Sequence, residues 1–226
     1  MLGTFSQANM LAHLLAYWST ACLALYVLLI LLKVLQPNLL RLRFPWLHLG
    51  YIAARVTYGG ILAVGQYIHW AGNPFTAPLT YLPLPDSVPL PGLFKLFTPL
   101  LLLRHGYFAH YMLSRYWMGL FWGIAVALVL YVFLRALRKM RPALLSALDI
   151  HLFVAGSLII TWPNVLLFIL ATLLVFLLNV VVVTVSRGGR TALYPSILIG
   201  FFMVFIFGDY IATLCPLIAS LKFSGL

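Results

Sequence analysis

The chain has 226 residues, of which 64% are hydrophobic and only 8% are charged, whereas soluble domains average roughly 25% charged residues. So few polar side chains cannot cover a water-soluble fold of this length. The composition therefore excludes a soluble globular domain and predicts an all-α polytopic membrane bundle, since lipid offers the backbone no hydrogen-bond partners. The net charge of +11 comes from short cationic clusters between apolar runs, a pattern typical of cytoplasmic loops and not of a nucleic-acid-binding surface.

The N-terminal half predicts two membrane spans followed by a long loop. Residues 10–35 and 47–70 form two apolar runs. Each is longer than the roughly 20 residues that a helix needs to cross a bilayer. Residues 73–92 hold six prolines, which exclude a regular helix and predict a loop between membrane segments.

The C-terminal half predicts further membrane segments. Residues 93–112 are compatible with a span, a re-entrant segment or an interfacial helix, because polar residues interrupt their apolar core. Three clearer apolar runs follow, at residues 116–134, 165–185 and 194–214, with a shorter one at 144–162. The whole chain, residues 1–226, is therefore predicted to be a single transmembrane domain. We expect six to seven membrane segments and a multi-pass location in an inner or plasma membrane.

Basic residues indicate which ends of the spans face the cytoplasm. The densest cluster closes the span at 116–134, and a basic turn follows the span at 165–185. Both are interpreted as cytoplasmic by the positive-inside rule. These residues are Arg135, Arg138, Lys139 and Arg141 in the cluster, and Arg187 and Arg190 in the turn.

The chain has only three acidic residues, and acids in or beside membrane spans are functional candidates by default. Asp149 is either an acid that caps a helix or one of two catalytic carboxylates. Asp86 is either a solvated turn residue or the second carboxylate of that pair. Asp209, near the end of the last span, is interpreted as an interfacial acid.

No other residue pattern predicts a catalytic or cofactor site. The six histidines show neither an HExxH motif nor an i, i+4 pair, so no metal site is predicted. The chain also lacks a GxSxG elbow and a glycine-rich phosphate loop. We therefore expect no cofactor.

Several short motifs follow one another along the C-terminal half: Met118-Gly119-Leu120-Phe121-Trp122-Gly123, the segment Asp149 to Gly156, Trp162-Pro163-Asn164-Val165, Tyr194-Pro195-Ser196, and Phe207-Gly208-Asp209. Their order and spacing carry a family resemblance. Residues 117–210 resemble the membrane domain of the type IV prepilin peptidases, a family of intramembrane aspartyl proteases. The resemblance implies that Asp149 and Asp86 activate water and cut the leader of pilin-like precursor peptides at the cytoplasmic face.

The chain departs from that family at both catalytic positions. Where the family has GxGD, this chain has Ser146-Ala147-Leu148-Asp149. Asp86 lies in the Pro-rich loop, and the positive-inside rule places it on the opposite side of the membrane from Asp149. A rival alignment puts Gln66 at the first position, where an amide cannot exchange a proton as a carboxyl can. The chain is an aspartyl endopeptidase only if Asp86 and Asp149 meet.

Two non-enzymatic hypotheses stay open beside the peptidase. The first is a structural subunit of a multi-protein membrane complex for secretion, conjugation or energy transduction. It is favoured by the incomplete catalytic signature and by an aromatic content of 15%, together with small residues suited to helix packing. The second is a solute carrier or channel, for which the helix break at Pro163 is typical.

Overall fold

The computed structural model describes residues 2–36, 43–88, 95, 98–140, 145–160, 162–186 and 193–214. This part of the chain is helical and contains no strand, which confirms the predicted all-α class. The helices are α1 (Leu2–Leu35), α2 (Phe44–Gly72), α3 (Thr98–Leu101), α4 (Gly106–Met112), α5 (Met118–Met140), α6 (Ala147–Ile160), α7 (Asn164–Ser186) and α8 (Tyr194–Leu214).

Five helical segments are long and apolar enough to cross a membrane. They are Tyr17–Leu35, Phe44–Gly72, Gly106–Met140, Asn164–Val182 and Tyr194–Ile211. Helix α6 is apolar but has only 14 residues, or about 21 Å of helix, against a hydrocarbon thickness of about 30 Å. The chain is therefore a multi-pass membrane protein with five spans and one shorter apolar helix among the described residues.

The segment predicted ambiguously at residues 93–112 is not a separate span. Helix α4 continues through a π-helical turn, Leu113–Trp117, directly into α5, so that one long helical segment crosses the membrane. Before α4 the chain reverses at His105, which has a left-handed φ of 72°. Its ring Nδ1 lies 2.5 Å from the carbonyl oxygen of Thr80. This polar contact fixes the corner at which the long segment begins.

The Pro-rich loop packs against that corner. Within its described residues, 73–88, it contains one short 3₁₀ turn, Ala77–Thr80. The Leu84 N–H donates to the Leu101 carbonyl at 3.0 Å, and the Tyr107 N–H donates to the Leu82 carbonyl at 3.1 Å. The loop is therefore held at the Gly106 end of the long span. Its last residues, 89–92, lie outside the described part of the chain.

Helix α6 lies at the centre of the bundle. Most of its residues are buried, and it packs against α2, α5, α7 and α8. The spans around it are far less covered, since only 11–28% of the residues in their most apolar windows are buried by the chain itself. The bundle thus consists of a short buried helix packed among longer spans whose outward-facing side chains are apolar.

Two glycines allow close helix approaches in this bundle. A Cβ at Gly200 of α8 would stand 2.9 Å from the backbone nitrogen of Thr172 and 3.0 Å from its Cα. A Cβ at Gly156 of α6 would stand 2.6 Å from the ring of Phe168. Real Cβ atoms rarely come this close, so α8 and α6 can pack against α7 at these points only because the side chains are absent.

Candidate functional site

Asp149 lies in the first turn of α6, where it caps the helix. The Asp149 Oδ2 accepts hydrogen bonds from the Ser146 N–H at 2.8 Å and from the Ser146 hydroxyl at 2.7 Å. The Ser146 Oγ accepts in turn from the Asp149 N–H at 3.1 Å. This reciprocal pattern is a capping box. Asp149 is buried, with 5% of its surface exposed, and its carboxylate is engaged by the backbone N–H and the hydroxyl of Ser146, the residue before α6.

Asp86 lies at the other end of the long span. It is exposed in the turn between Leu84 and Val88, and both of these residues pack near Met118 at the start of α5. Asp149 is close to the opposite end of α5, because the ring of nearby His151 is 6.2 Å from that of Tyr131. Met118 and Tyr131 are separated by roughly 20 Å of helix. The structure does not bring the two carboxyls together, and their catalytic role stays a prediction.

The third acid belongs to the packing of α7 against α8. The Asn164 side chain at the start of α7 donates to the Asp209 Oδ1 at 3.2 Å. Asp209 is exposed near the end of α8. It is on the side of the membrane opposite Asp149, because α7 begins where α6 has ended.

A hydrogen-bonded chain of three side chains joins three helices at the end of the bundle where α6 begins. The Tyr26 hydroxyl of α1 lies 2.6 Å from His48 Nδ1 of α2. His48 Nε2 lies 3.3 Å from His151 Nδ1 of α6. Tyr26 is 3% and His48 is 7% exposed. We call these three residues the Tyr–His–His cluster.

Aromatic rings enclose the cluster. The ring of Tyr51 stacks on that of Tyr26 with centroids 4.2 Å apart, and the ring of Phe44 stacks on that of His151 at 4.7 Å. On the α5 side, Tyr131 lies beside His151, and its hydroxyl accepts a hydrogen bond from Arg135 at 2.9 Å. The contacts of Phe44 and Tyr131 with His151 restrict the orientation of its imidazole.

The geometry of the cluster limits what it can bind. Only one proton fits between the facing nitrogens of His48 and His151, and two imidazolium charges this close would repel each other. Within the described residues, no three His, Cys, Asp or Glu side chains are grouped so as to hold a metal ion. The cluster can therefore hold the helices together or pass a single proton between its members.

Sequence reasoning missed this cluster. Its members are separated by 22 and 103 positions along the chain, so that no local spacing reveals them. The sequence carries one signal, a histidine within each of two apolar segments, because a histidine that becomes buried there is costly unless its side chain is hydrogen-bonded.

The capping role of Asp149 gives a stability prediction. Asp149→Ala removes two accepted hydrogen bonds and should lower the free energy of unfolding by about 1–2 kcal/mol, measured by denaturant titration in detergent. Asp86→Ala is the matched control, because Asp86 is exposed in a turn and its loss should change the same quantity by less than about 0.5 kcal/mol. Equal losses for the two variants would contradict the capping role.

No family model, no curated protein and no solved structure matches the chain. The geometry of the described residues is therefore the basis on which a function is assigned.

Proposed function

We propose that this chain is a non-enzymatic subunit of a multi-protein membrane complex. The observation that carries the proposal is an apolar groove of about 570 Å³ between α1, α6 and α8. Helix α1 packs closely on α2, whereas the groove separates it from α6 and α8. The groove opens outward from the bundle and reaches the central helix α6.

The lining of the groove suits a transmembrane helix of another protein. Small residues, Ala24 on α1 and Ala155 and Gly156 on α6, form part of its walls, and small residues let helix backbones approach closely in membranes. Phe201 and Phe205 of α8 add broad aromatic contacts. A partner helix here would complete the packing around α6.

The predicted leader peptidase has weaker support. A carboxylate pair must share a proton to activate water, and Asp86 and Asp149 lie near opposite ends of α5. The Asp149 carboxylate is occupied by the capping box. We expect the purified chain in liposomes to leave a pilin-like precursor uncut, as judged by gel mobility. Cleavage that Asp149→Asn abolishes would replace the present proposal with the peptidase.

The subunit proposal predicts a stable complex that depends on the groove. The tagged chain, extracted from its native membrane in a mild detergent, should purify with one or more integral membrane proteins in fixed stoichiometry, measured by native mass spectrometry. Leu28→Trp fills the groove and should reduce recovery of those partners at least tenfold. Leu177→Trp on α7 is the matched control. Leu177 is about as exposed as Leu28, at 59% against 53%, but it lies outside the groove.

Two outcomes would contradict the proposal. One is recovery of the unmodified chain as a monomer from its native membrane. The other is equal loss of partners in both tryptophan variants, since that would indicate general destabilisation and not blockage of the groove. Co-purification of differently tagged copies would identify the partner helix as one from a second copy of this chain.

A further inference from the structure

We propose that the C-terminal end of α5 binds an anionic phospholipid, with its phosphate on Arg135, Arg138 and Lys139. This site is separate from the groove between α1, α6 and α8, and it does not depend on the subunit proposal. We call the three cations and their apolar neighbours on α5 the lipid face.

Within the described residues, the cations of the lipid face have no acidic partners. The whole chain contains only three acids against 14 Lys and Arg residues. Asp149 is the acid on this side of the membrane, and its carboxylate is bonded to Ser146. Asp86 and Asp209 lie on the other side, by the Pro-rich loop and at the start of α7. A bound anion would therefore neutralise positive charge that no acidic side chain of the described residues neutralises.

The lipid face changes from apolar to cationic along a single stripe of the helix. Leu128, Val132, Arg135 and Lys139 follow one another at spacings of four, three and four residues, which places them on one side of an α-helix. Leu128 is 61% and Val132 is 59% exposed. The stripe is thus apolar toward the membrane interior and positively charged at the end of the span. A phospholipid has the same order, with its acyl chain in the interior and its phosphate at the surface.

The local shape favours a bound headgroup over a freely solvated row of cations. A shallow cavity of about 550 Å³ is lined by Tyr131, Val132, Arg135, Ala136, Arg138 and Lys139. The Arg135 guanidinium is fixed at its edge by a hydrogen bond to the Tyr131 hydroxyl at 2.9 Å. An arginine held in place loses less conformational entropy when it binds a phosphate, and its planar fork matches phosphate oxygens.

A matched pair of cations lies near the other end of the long span, Arg104 just before it and Arg115 within it. Arg104 and Arg115 are exposed, and their guanidinium groups lie over tyrosine rings, 5.1 Å from the ring centroid of Tyr81 and 5.7 Å from that of Tyr111. Neither arginine lines the cavity of the lipid face. Arg104→Gln/Arg115→Gln therefore removes the same charge as Arg138→Gln/Lys139→Gln without touching the lipid face.

The experiment is a lipid titration of the full chain in detergent micelles, followed by native mass spectrometry. The probes are phosphatidylglycerol and phosphatidylcholine with identical acyl chains. We expect the unmodified chain to prefer phosphatidylglycerol. Since each cation near an anionic lipid changes affinity about fivefold, Arg138→Gln/Lys139→Gln should lower the affinity for phosphatidylglycerol by about 20–30-fold. Its affinity for phosphatidylcholine should not change.

The control variant and a competing anion test whether the lipid itself is recognised. Arg104→Gln/Arg115→Gln should keep the preference for phosphatidylglycerol, and inorganic phosphate at millimolar concentration should not displace the lipid, because it lacks an acyl chain. Equal losses in the two double variants would show a general charge effect and overturn the proposal. Equal affinity of the unmodified chain for both lipids would overturn it too. Circular dichroism melting of each variant verifies that it is folded.

Discussion

Gly200→Ala is expected to destabilise the pairing of α7 with α8 and to lower the free energy of unfolding by about 1–2 kcal/mol. A Cβ at this position would collide with the backbone of Thr172, at 2.9 Å from its nitrogen and 3.0 Å from its Cα. Overpacking of this kind costs about 1–3 kcal/mol. The greater helix propensity of alanine offsets up to about 1 kcal/mol of that cost. Denaturant titration in detergent, monitored by circular dichroism, measures the difference.

Gly119→Ala is the matched control for Gly200→Ala. Gly119 lies within α5, and a Cβ there would have no neighbouring atom within 4 Å, so only helix propensity acts. We expect Gly119→Ala to leave stability unchanged or to raise it by up to about 1 kcal/mol. The two substitutions are chemically identical, but only Gly200→Ala should lower stability. A gain in stability from Gly200→Ala would show that α7 and α8 do not approach as closely as described.

His48→Ala is expected to lower the free energy of unfolding by about 2–4 kcal/mol. The substitution removes the partner of both Tyr26 and His151, and a buried polar group left without a partner costs about 1–3 kcal/mol. It also leaves a cavity where the imidazole was, which adds to the loss. The same denaturant titration measures this effect.

His69→Ala is the control for His48→Ala on the same helix, because His69 is exposed. We expect its loss to change stability by less than about 0.5 kcal/mol. A double-mutant cycle of His48→Ala with His151→Ala should show a coupling energy of about 0.5–3 kcal/mol, since the two rings share a hydrogen bond. Strict additivity of the two substitutions would mean that the rings do not interact in the folded protein.

Much of the fold could be predicted from the sequence, because membrane spans are determined by local composition. Runs of 20 or more apolar residues must form helices in lipid, and the prolines at 73–92 predict a loop, whose described residues 73–88 hold one short 3₁₀ turn. The segment at 93–112 could not be resolved, since its path depends on tertiary contacts. His105 contacts the Thr80 carbonyl, and Leu84 donates to Leu101. No periodicity in the sequence encodes those contacts.

The candidate site was less predictable than the fold. The scarcity of acids makes Asp86 and Asp149 candidates, and a capping role for Asp149 is one of the two sequence predictions for that residue, which its hydrogen bonds with Ser146 support. The Tyr–His–His cluster could not be found in this way, because three helices must pack before Tyr26, His48 and His151 meet. The basic residues at the end of α5 were identified, but their use as a lipid face depends on exposure and on the cavity beside them.

The shortness of α6 has a consequence for the surrounding bilayer. A helix of about 21 Å cannot reach both surfaces of a hydrocarbon layer about 30 Å thick. The helix is thus about 9 Å shorter than the hydrocarbon layer. Because α6 ends where α7 begins its own crossing, this shortfall lies at the first turn of α6. Ser146 immediately precedes α6, and Asp149 and His151 lie within its first five residues. Polar groups below the headgroups draw in water or thin the membrane locally. We therefore expect the bilayer to be thinner and hydrated above the start of α6, so that protons from the aqueous phase on that side reach His151.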